Sequence, residues 1–170
     1  MEHEHHTDGG KVKTAVITVS DRCSRGERED QSGKAIVETV ESKGWEVVSY
    51  IIIPDDKARL KEELLRLSDE LGSQLIFTTG GTGLSPRDYT PEVTLEVLEK
   101  EVPGMAEAMR REGLNKTPHA MLSRAVCGIR GRTLIINLPG SLKGVRESLE
   151  VVLPAIPHAV ELLKGEVADP

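Results

Sequence analysis

The residues of this chain best suited to chemistry are glycines, hydroxyls and carboxylates gathered in short polar strings. Thr79-Gly80-Gly81-Thr82-Gly83 sets three glycines within four positions directly after the apolar run Leu75-Ile76-Phe77. Lacking Cβ atoms, such a turn lets backbone amides face a phosphate. It is not a Walker loop, because the lysine of GxxxxGK[ST] is absent, and Pro86 occupies the third glycine position of a GxGxxG fingerprint. A plain glycine turn is the commoner reading on glycine content alone. The continuation Arg87-Asp88-Tyr89-Thr90-Pro91-Glu92 sets this turn apart. Thr90 serves as a helix cap with proline following it, which frees Asp88 to face the turn as a Mg²⁺ ligand. The plainer alternative is a surface ion pair between Asp88 and adjacent Arg87.

Asp55 and Asp56 stand between a strand and a helix, where one can cap while the other reaches a ligand-bound cation. Ser20 and Asp21 can hydrogen-bond a ligand or simply begin a polar loop that runs to Ser32. Ser123 and Arg124 offer a hydroxyl and a guanidinium fork suited to phosphate, though a lone arginine at a strand start is usually solvated. Asn137-Leu138-Pro139-Gly140-Ser141 puts a turn at a helix amino terminus, a natural anion site, with Ser141 equally readable as a cap. Cys23 and Cys127 lack CxxC spacing, and His3, His5 and His6 lie in a polar tail, so neither group is assigned to the site.

The positions of these strings depend on the elements between them. Thr14–Val19, Val47–Ile53 and Leu75–Thr79 are short β-branched or apolar runs, separated by helical patterns over about Ser32–Lys43 and through Leu60, Leu64, Leu67 and Leu71. The resulting βαβαβ order predicts a parallel sheet with right-handed crossovers. Further helices are expected from Thr90 to about Lys100, Pro103 to Glu112, Ser141 to before Pro154, and Pro157 to Lys164. Arg124–Ile129 and Thr133–Leu138 form a small β-hairpin across Arg130-Gly131. The fold class predicted is a three-layer α/β/α sandwich with a mostly parallel, Rossmann-like sheet. Four polar strings each follow a strand of that sheet, so they share its carboxyl edge, where ligands of open sheets bind.

The bulk numbers restrict the partners. The 170 residues suit one domain over 13–165, with flexible tails at 1–12 and 166–170. A net charge of −6 argues against nucleic acid. No apolar stretch approaches the roughly 20 residues needed to cross a bilayer, and the amino terminus is unlike a signal peptide, so the expected compartment is the cytoplasm. The Asn115-Lys116-Thr117 sequon is therefore silent, and sparse Asn and Gln beside abundant Glu, Lys and Arg hint at a thermophilic source.

Thr78-Thr79-Gly80-Gly81-Thr82-Gly83, Arg87-Asp88 with Thr90-Pro91-Glu92, Pro103-Gly104-Met105, Leu122-Ser123-Arg124 and Asn137-Leu138-Pro139-Gly140 together resemble the MoaB/Mog family, in that family's order. The likeness runs from about Lys13 to Gly165. It implies adenylyl transfer from MgATP to molybdopterin, releasing pyrophosphate, in the making of a molybdenum or tungsten cofactor. By matching motif positions, Asp55 and Asp88 correspond to the family's two important carboxylates, catalytic and Mg²⁺-binding. The turn from Thr79 to Gly83 would hold phosphates. Gly104, Met105, Ser123, Arg124, Asn137, Pro139, Gly140 and Ser141 would join Ser20 and Asp21 in binding substrate. The resemblance also implies a homotrimer, sometimes paired into a hexamer, and contact with a downstream metal-insertion protein. A non-catalytic pterin carrier is the second reading; a nicotinamide oxidoreductase lacks its fingerprint and ranks third.

Overall fold

The computed structural model describes residues 11–165. The predicted tail at 166–170 and the His-bearing segment lie outside the described residues. Val12, counted with the amino-terminal tail by the sequence reading, is buried, and its carbonyl accepts Glu46 N–H at 3.1 Å.

Among the described residues six strands form one sheet. In chain order they are β1 (Lys13–Val19), β2 (Glu46–Ile53), β3 (Leu75–Thr79), β4 (Lys100–Glu101), β5 (Cys127–Arg130) and β6 (Thr133–Leu138). Their spatial order is β2-β1-β3-β6-β5-β4. The first four run parallel, and β5 and β4 extend the sheet antiparallel. The two-sided burial expected for parallel strands is present: along β1, Val16 points into one core while Ala15 and Ile17 point into the other. Strand β3 divides likewise, with Leu75 and Phe77 opposite Ile76. Each fully buried aliphatic or aromatic side chain of this kind contributes roughly 1.5–3 kcal/mol.

Seven α-helices accompany the strands among the described residues: α1 (Asp21–Ser24), α2 (Gln31–Ser42), α3 (Lys57–Leu65), α4 (Thr90–Val97), α5 (Pro103–Leu114), α6 (Leu142–Val152) and α7 (Ile156–Lys164). Ile36 and Val40 of α2, Met109 of α5, Leu149 of α6 and Val160 of α7 fill the core on one face; Leu60 and Leu64 of α3 with Val93 and Val97 of α4 fill the other. The predicted three-layer class is therefore the observed one. The helical pattern that reached Leu71 persists as a wider π-turn over Arg66–Glu70.

Four local expectations are corrected. The segment after Ser20 is no simple loop, for Ser20 Oγ accepts Cys23 N–H and caps the short α1. Helix α4 ends at Val97, because Leu98 turns to extended backbone and Glu99 N–H bonds Ile129 O at 2.8 Å. The next two residues become β4, drawn off the helix by the unpaired margin of β5. The strand expected from Arg124 starts at Cys127, since the preceding backbone is held elsewhere: Arg124 N–H on Thr82 O and Val126 N–H on Asn137 Oδ1. The hairpin turn is Gly131-Arg132, closed by the Arg130–Thr133 pair, with φ of 58° at Gly131.

Candidate active site

Because β2, β1, β3 and β6 are parallel neighbours, the strings that follow them emerge side by side at the carboxyl edge: Pro54-Asp55-Asp56, Ser20-Asp21, Gly80-Gly81 and Pro139-Gly140-Ser141. From β1 the chain first crosses to β2 on one side, then returns past it to β3 on the other. The crevice between the ends of β1 and β3 is thus the topological switch point of the sheet.

The glycine turn is built with its carbonyls facing inward. Gly80 O accepts the Thr90 hydroxyl at 2.9 Å, Gly81 O accepts Thr90 N–H at 3.1 Å, Thr82 O accepts Arg124 N–H at 2.9 Å, and Gly83 O accepts Arg124 Nε at 2.8 Å. In a trans peptide the next N–H points opposite its carbonyl. Among the described residues no acceptor takes the N–H groups of Gly81, Thr82 or Gly83. Three consecutive donors are therefore turned outward, the arrangement that binds an anion. Glycine is required at two of these positions. Gly80 and Gly81 have φ of 98° and 72°, and a Cβ would overlap Val19 O at the first and the Thr90 hydroxyl at the second.

Thr90 is thus not the cap the sequence predicts. Tyr89 holds the capping position, and the buried Thr90 hydroxyl fastens the cradle. Asp88 Oδ2 accepts Ser85 N–H at 3.0 Å, which fixes its carboxyl beside Gly83.

Asp55 and Asp56 divide the labour between them. Asp56 caps α3 through Arg59 N–H at 3.0 Å. Asp55 Oδ2 instead accepts Asp21 N–H at 3.1 Å, and Asp21 Oδ1 accepts Asp55 N–H at 2.9 Å, a reciprocal lock between the ends of β1 and β2. Arg87 completes it. Its Nε donates to Asp21 Oδ2 at 2.7 Å, and its Nη2 to Asp21 Oδ1 at 3.1 Å and to Asp55 O at 3.0 Å. The alternative of an ion pair between Arg87 and neighbouring Asp88 is not what forms; a partner 66 residues away is not visible from spacing. The Arg87 guanidinium, aided by Asp55 N–H, holds the Asp21 carboxyl below the usual carboxylate range. Asp55 moves the other way. Burial raises its proton affinity, and the charges of Asp21 and Asp88 add to the rise against the Asp21 N–H and Arg87. The Asp55 and Asp88 carboxyls thus share one electrostatic neighbourhood, although among the described residues no three His, Cys, Asp or Glu side chains cluster tightly enough to chelate a metal unaided.

Cavities open on both sides of the turn. One of about 330 Å³ fills the switch-point crevice between Ser20, Thr79, Gly80, Gly140 and Ser141. Another of about 300 Å³ lies between Thr82, Gly83, Ser123 and Pro139, with Arg110, Lys116 and His119 along its wall. Those three basic residues form no motif in the sequence, because α5 and the 3₁₀ segment Pro118–Leu122 bring them together only on folding.

Other predicted residues have structural roles. Thr79 Oγ1 donates to Pro139 O at 2.6 Å, joining the loops after β3 and β6. Ser141 caps α6 by accepting Gly144 N–H at 3.1 Å. Asn137 is fully buried, with Nδ2 on the hydroxyls of Thr78 and Thr94. Gly104 and Met105 begin α5 and border neither cavity; Met105 packs against the core. Arg124 turns each of its three guanidinium nitrogens to the protein itself, reaching Gly83 O, Asp88 O at 2.9 Å and the Glu92 carboxylate.

Outward amides, the Asp21, Asp55 and Asp88 carboxyls and two cavities thus gather at the carboxyl edge, the edge at which open α/β sheets take their ligands. Over residues 15–158 the chain matches the family described as "Probable molybdopterin binding domain", and it belongs to that family. It is 44% identical over 156 residues to the molybdopterin adenylyltransferase of Helicobacter pylori (strain J99), covering 91% of this chain and 89% of that one. The crystal structure of the molybdopterin biosynthesis enzyme MoaB from Thermus thermophilus aligns with a TM-score of 0.86 at 54% identity, over 91% of this chain and 97% of that one. The tungsten cofactor synthesizing protein MoaB from Pyrococcus furiosus aligns at 0.83 and 34%, over 91% and 98%. The resemblance read from the motifs is borne out.

Proposed function

We propose that this protein is a molybdopterin adenylyltransferase, moving AMP from MgATP to the terminal phosphate of molybdopterin and releasing pyrophosphate. The observation that carries this reading is the row of outward amides at Gly81–Gly83, set between two cavities and beside Asp88, whose charge is felt in turn by Asp55. Joining two phosphorylated molecules at one phosphorus requires two sites that meet at an anion cradle. The kinship with the Helicobacter pylori adenylyltransferase supports the same reading.

The chemistry needs no protein nucleophile. A phosphate oxygen of the pterin attacks the α-phosphorus of ATP, and the bond to the bridging oxygen of pyrophosphate breaks on the opposite side. The chain's part is to hold the two anions in line and offset their repulsion through the amides of Gly81, Thr82 and Gly83 and the amino end of α6. Hard carboxylate oxygens on Asp55 and Asp88 suit Mg²⁺, and a divalent cation would offset both the burial and the neighbouring Asp21 and Asp88 charges that raise the Asp55 proton affinity. When bound there, Mg²⁺ would neutralise triphosphate charge. Ser20, Asp21, Thr79, Gly80, Ser123, Pro139, Gly140 and Ser141 form the surrounding walls and lock.

The reading extends to a homotrimer, paired in some members into a hexamer, working in the cytoplasm beside a metal-insertion protein. Exposed Leu114, Met121 and Leu122 support a subunit contact. The test is to mix purified protein with ATP, Mg²⁺ and molybdopterin and follow pyrophosphate and the adenylylated pterin. Stoichiometric product formation and turnover are expected; tight pterin binding without pyrophosphate would identify a carrier.

A further inference from the structure

Arg124 lies beside the cradle, yet its guanidinium faces the chain. Its Nε donates to Gly83 O at 2.8 Å, its Nη2 to Asp88 O at 2.9 Å, and its Nη1 to the Glu92 carboxylate, while its backbone N–H holds Thr82 O at 2.9 Å. One residue thus grips both ends of the segment from Gly83 to Asp88 and the first turn of α4 behind it. Glu92 is committed in return, its carboxyl held below the usual range chiefly by the Arg124 hydrogen bond. The segment so gripped carries the last outward amide of the cradle at Gly83 and, at its far end, the Asp88 carboxyl.

We infer that Arg124, with Glu92 as its counter-ion, is a positioning residue that fixes the glycine cradle and the Asp88 carboxyl relative to each other without touching substrate. Lysine cannot replace it. A single ammonium lacks the planar fork needed to reach two carbonyls and a carboxylate at once, although it keeps the charge. If Arg124 acted only as a phosphate contact, its replacement would leave hydrogen exchange of the unliganded cradle unchanged, because such a contact exists only with ligand bound.

The molecule contains an internal control. Arg130, where β5 ends, makes a comparable clasp: Nε and Nη2 on Asp69 at 3.0 and 2.9 Å, and Nη1 on Val97 O at 3.0 Å. It borders neither cavity. Losing either fork should cost similar folding free energy, but only Arg124 adjoins the cradle.

The inference rests on the proposed adenylyl transfer, and its test reads binding and exchange as well as turnover. Wild-type protein, Arg124→Lys and Arg130→Lys are compared by calorimetric titration with magnesium pyrophosphate and by hydrogen exchange over residues 84–93. In that stretch Ser85, Asp88 and Thr90 have hydrogen-bonded amides. Arg124→Lys is expected to weaken pyrophosphate binding about tenfold and to speed exchange in this stretch by a similar factor, the loss of one or two charge-assisted bonds. Arg130→Lys should change neither. Steady-state rates should show the Arg124→Lys defect mainly in the KM for ATP. Should Arg124→Lys keep wild-type exchange and pyrophosphate affinity, the positioning role is wrong. Absence of pyrophosphate release by the wild-type protein would overturn the adenylyl-transfer reading alone, because the binding and exchange comparison would still decide the role of Arg124.

Discussion

The two ends of the parallel strands use the same residue for different reasons. At the amino edge, Gly44 and Gly72 adopt φ of 78° and 70°, and a Cβ on either would meet nothing within 4 Å. At the carboxyl edge, Gly80 and Gly81 have positive φ as well, but a Cβ would overlap neighbouring atoms. The amino-edge glycines only let the chain turn. Those at the carboxyl edge also let one loop press against another, so that carbonyls tie inward and amides face out. The amino edge is closed by its own bonds, such as Gln74 N–H to Lys13 O at 2.8 Å and Thr133 Oγ1 to Ser73 O at 2.6 Å. The difference separates what maintains the fold from what is left available for a ligand.

Substitutions at the two edges should therefore differ in kind. The largest effect is expected from Asp88→Asn, which keeps an acceptor for Ser85 N–H but removes the charge. Turnover should fall about 10²–10³-fold with an unchanged melting temperature, as read by pyrophosphate release and calorimetry. A large loss of stability instead would make Asp88 a structural residue and blur the contrast between the edges. Next is Gly81→Ala, where strained φ and overlap with Thr90 act together. It should cost about 1–3 kcal/mol of stability and raise the KM for ATP several-fold. Gly72→Ala is its counterpart at the other edge: left-handed strain alone, about 1–2 kcal/mol by denaturant titration, with kinetic constants unaltered. If the two alanines behaved alike, the distinction would fail.

The smallest effect concerns pH. The Asp55 carboxyl is raised in the fold, chiefly by burial, so its contribution to stability is present while it is protonated and is lost as pH rises through the raised value. Asp55→Asn should consequently be no less stable than wild type at neutral pH. The acid limb of kcat/KM should lie above the ordinary aspartate range, and added Mg²⁺ should move it to lower pH by competing with the proton. A limb indifferent to Mg²⁺ would remove Asp55 from the metal site.

Much of this was legible in the chain. The runs at Thr14–Val19 and Leu75–Thr79 are too β-branched and apolar to be anything but buried strands, and four parallel strands bring their trailing strings to one edge. Asp55 beside Asp56 already showed that one could cap while the other did something else. What could not be read came from contacts distant in sequence. The Asp21–Asp55 lock spans 34 residues and the Arg87–Asp21 pair 66, with no local signature for either. The inward commitment of Arg124 is equally invisible, because a guanidinium looks the same in sequence whether it grips carbonyls or phosphate. Local propensity misplaced the end of α4 for a related reason: the last residues of that pattern are claimed by the margin of β5.

That claim has a consequence for how the molecule behaves in a crowded solution. Strand β4 is only two residues long, and both Lys100 and Glu101 are exposed. A sheet margin that ends in so short a charged stub offers an incoming strand little to pair with. The short turn from helix to stub thus guards this flank against fibril-like growth, using residues far from the chemistry and at almost no cost in length.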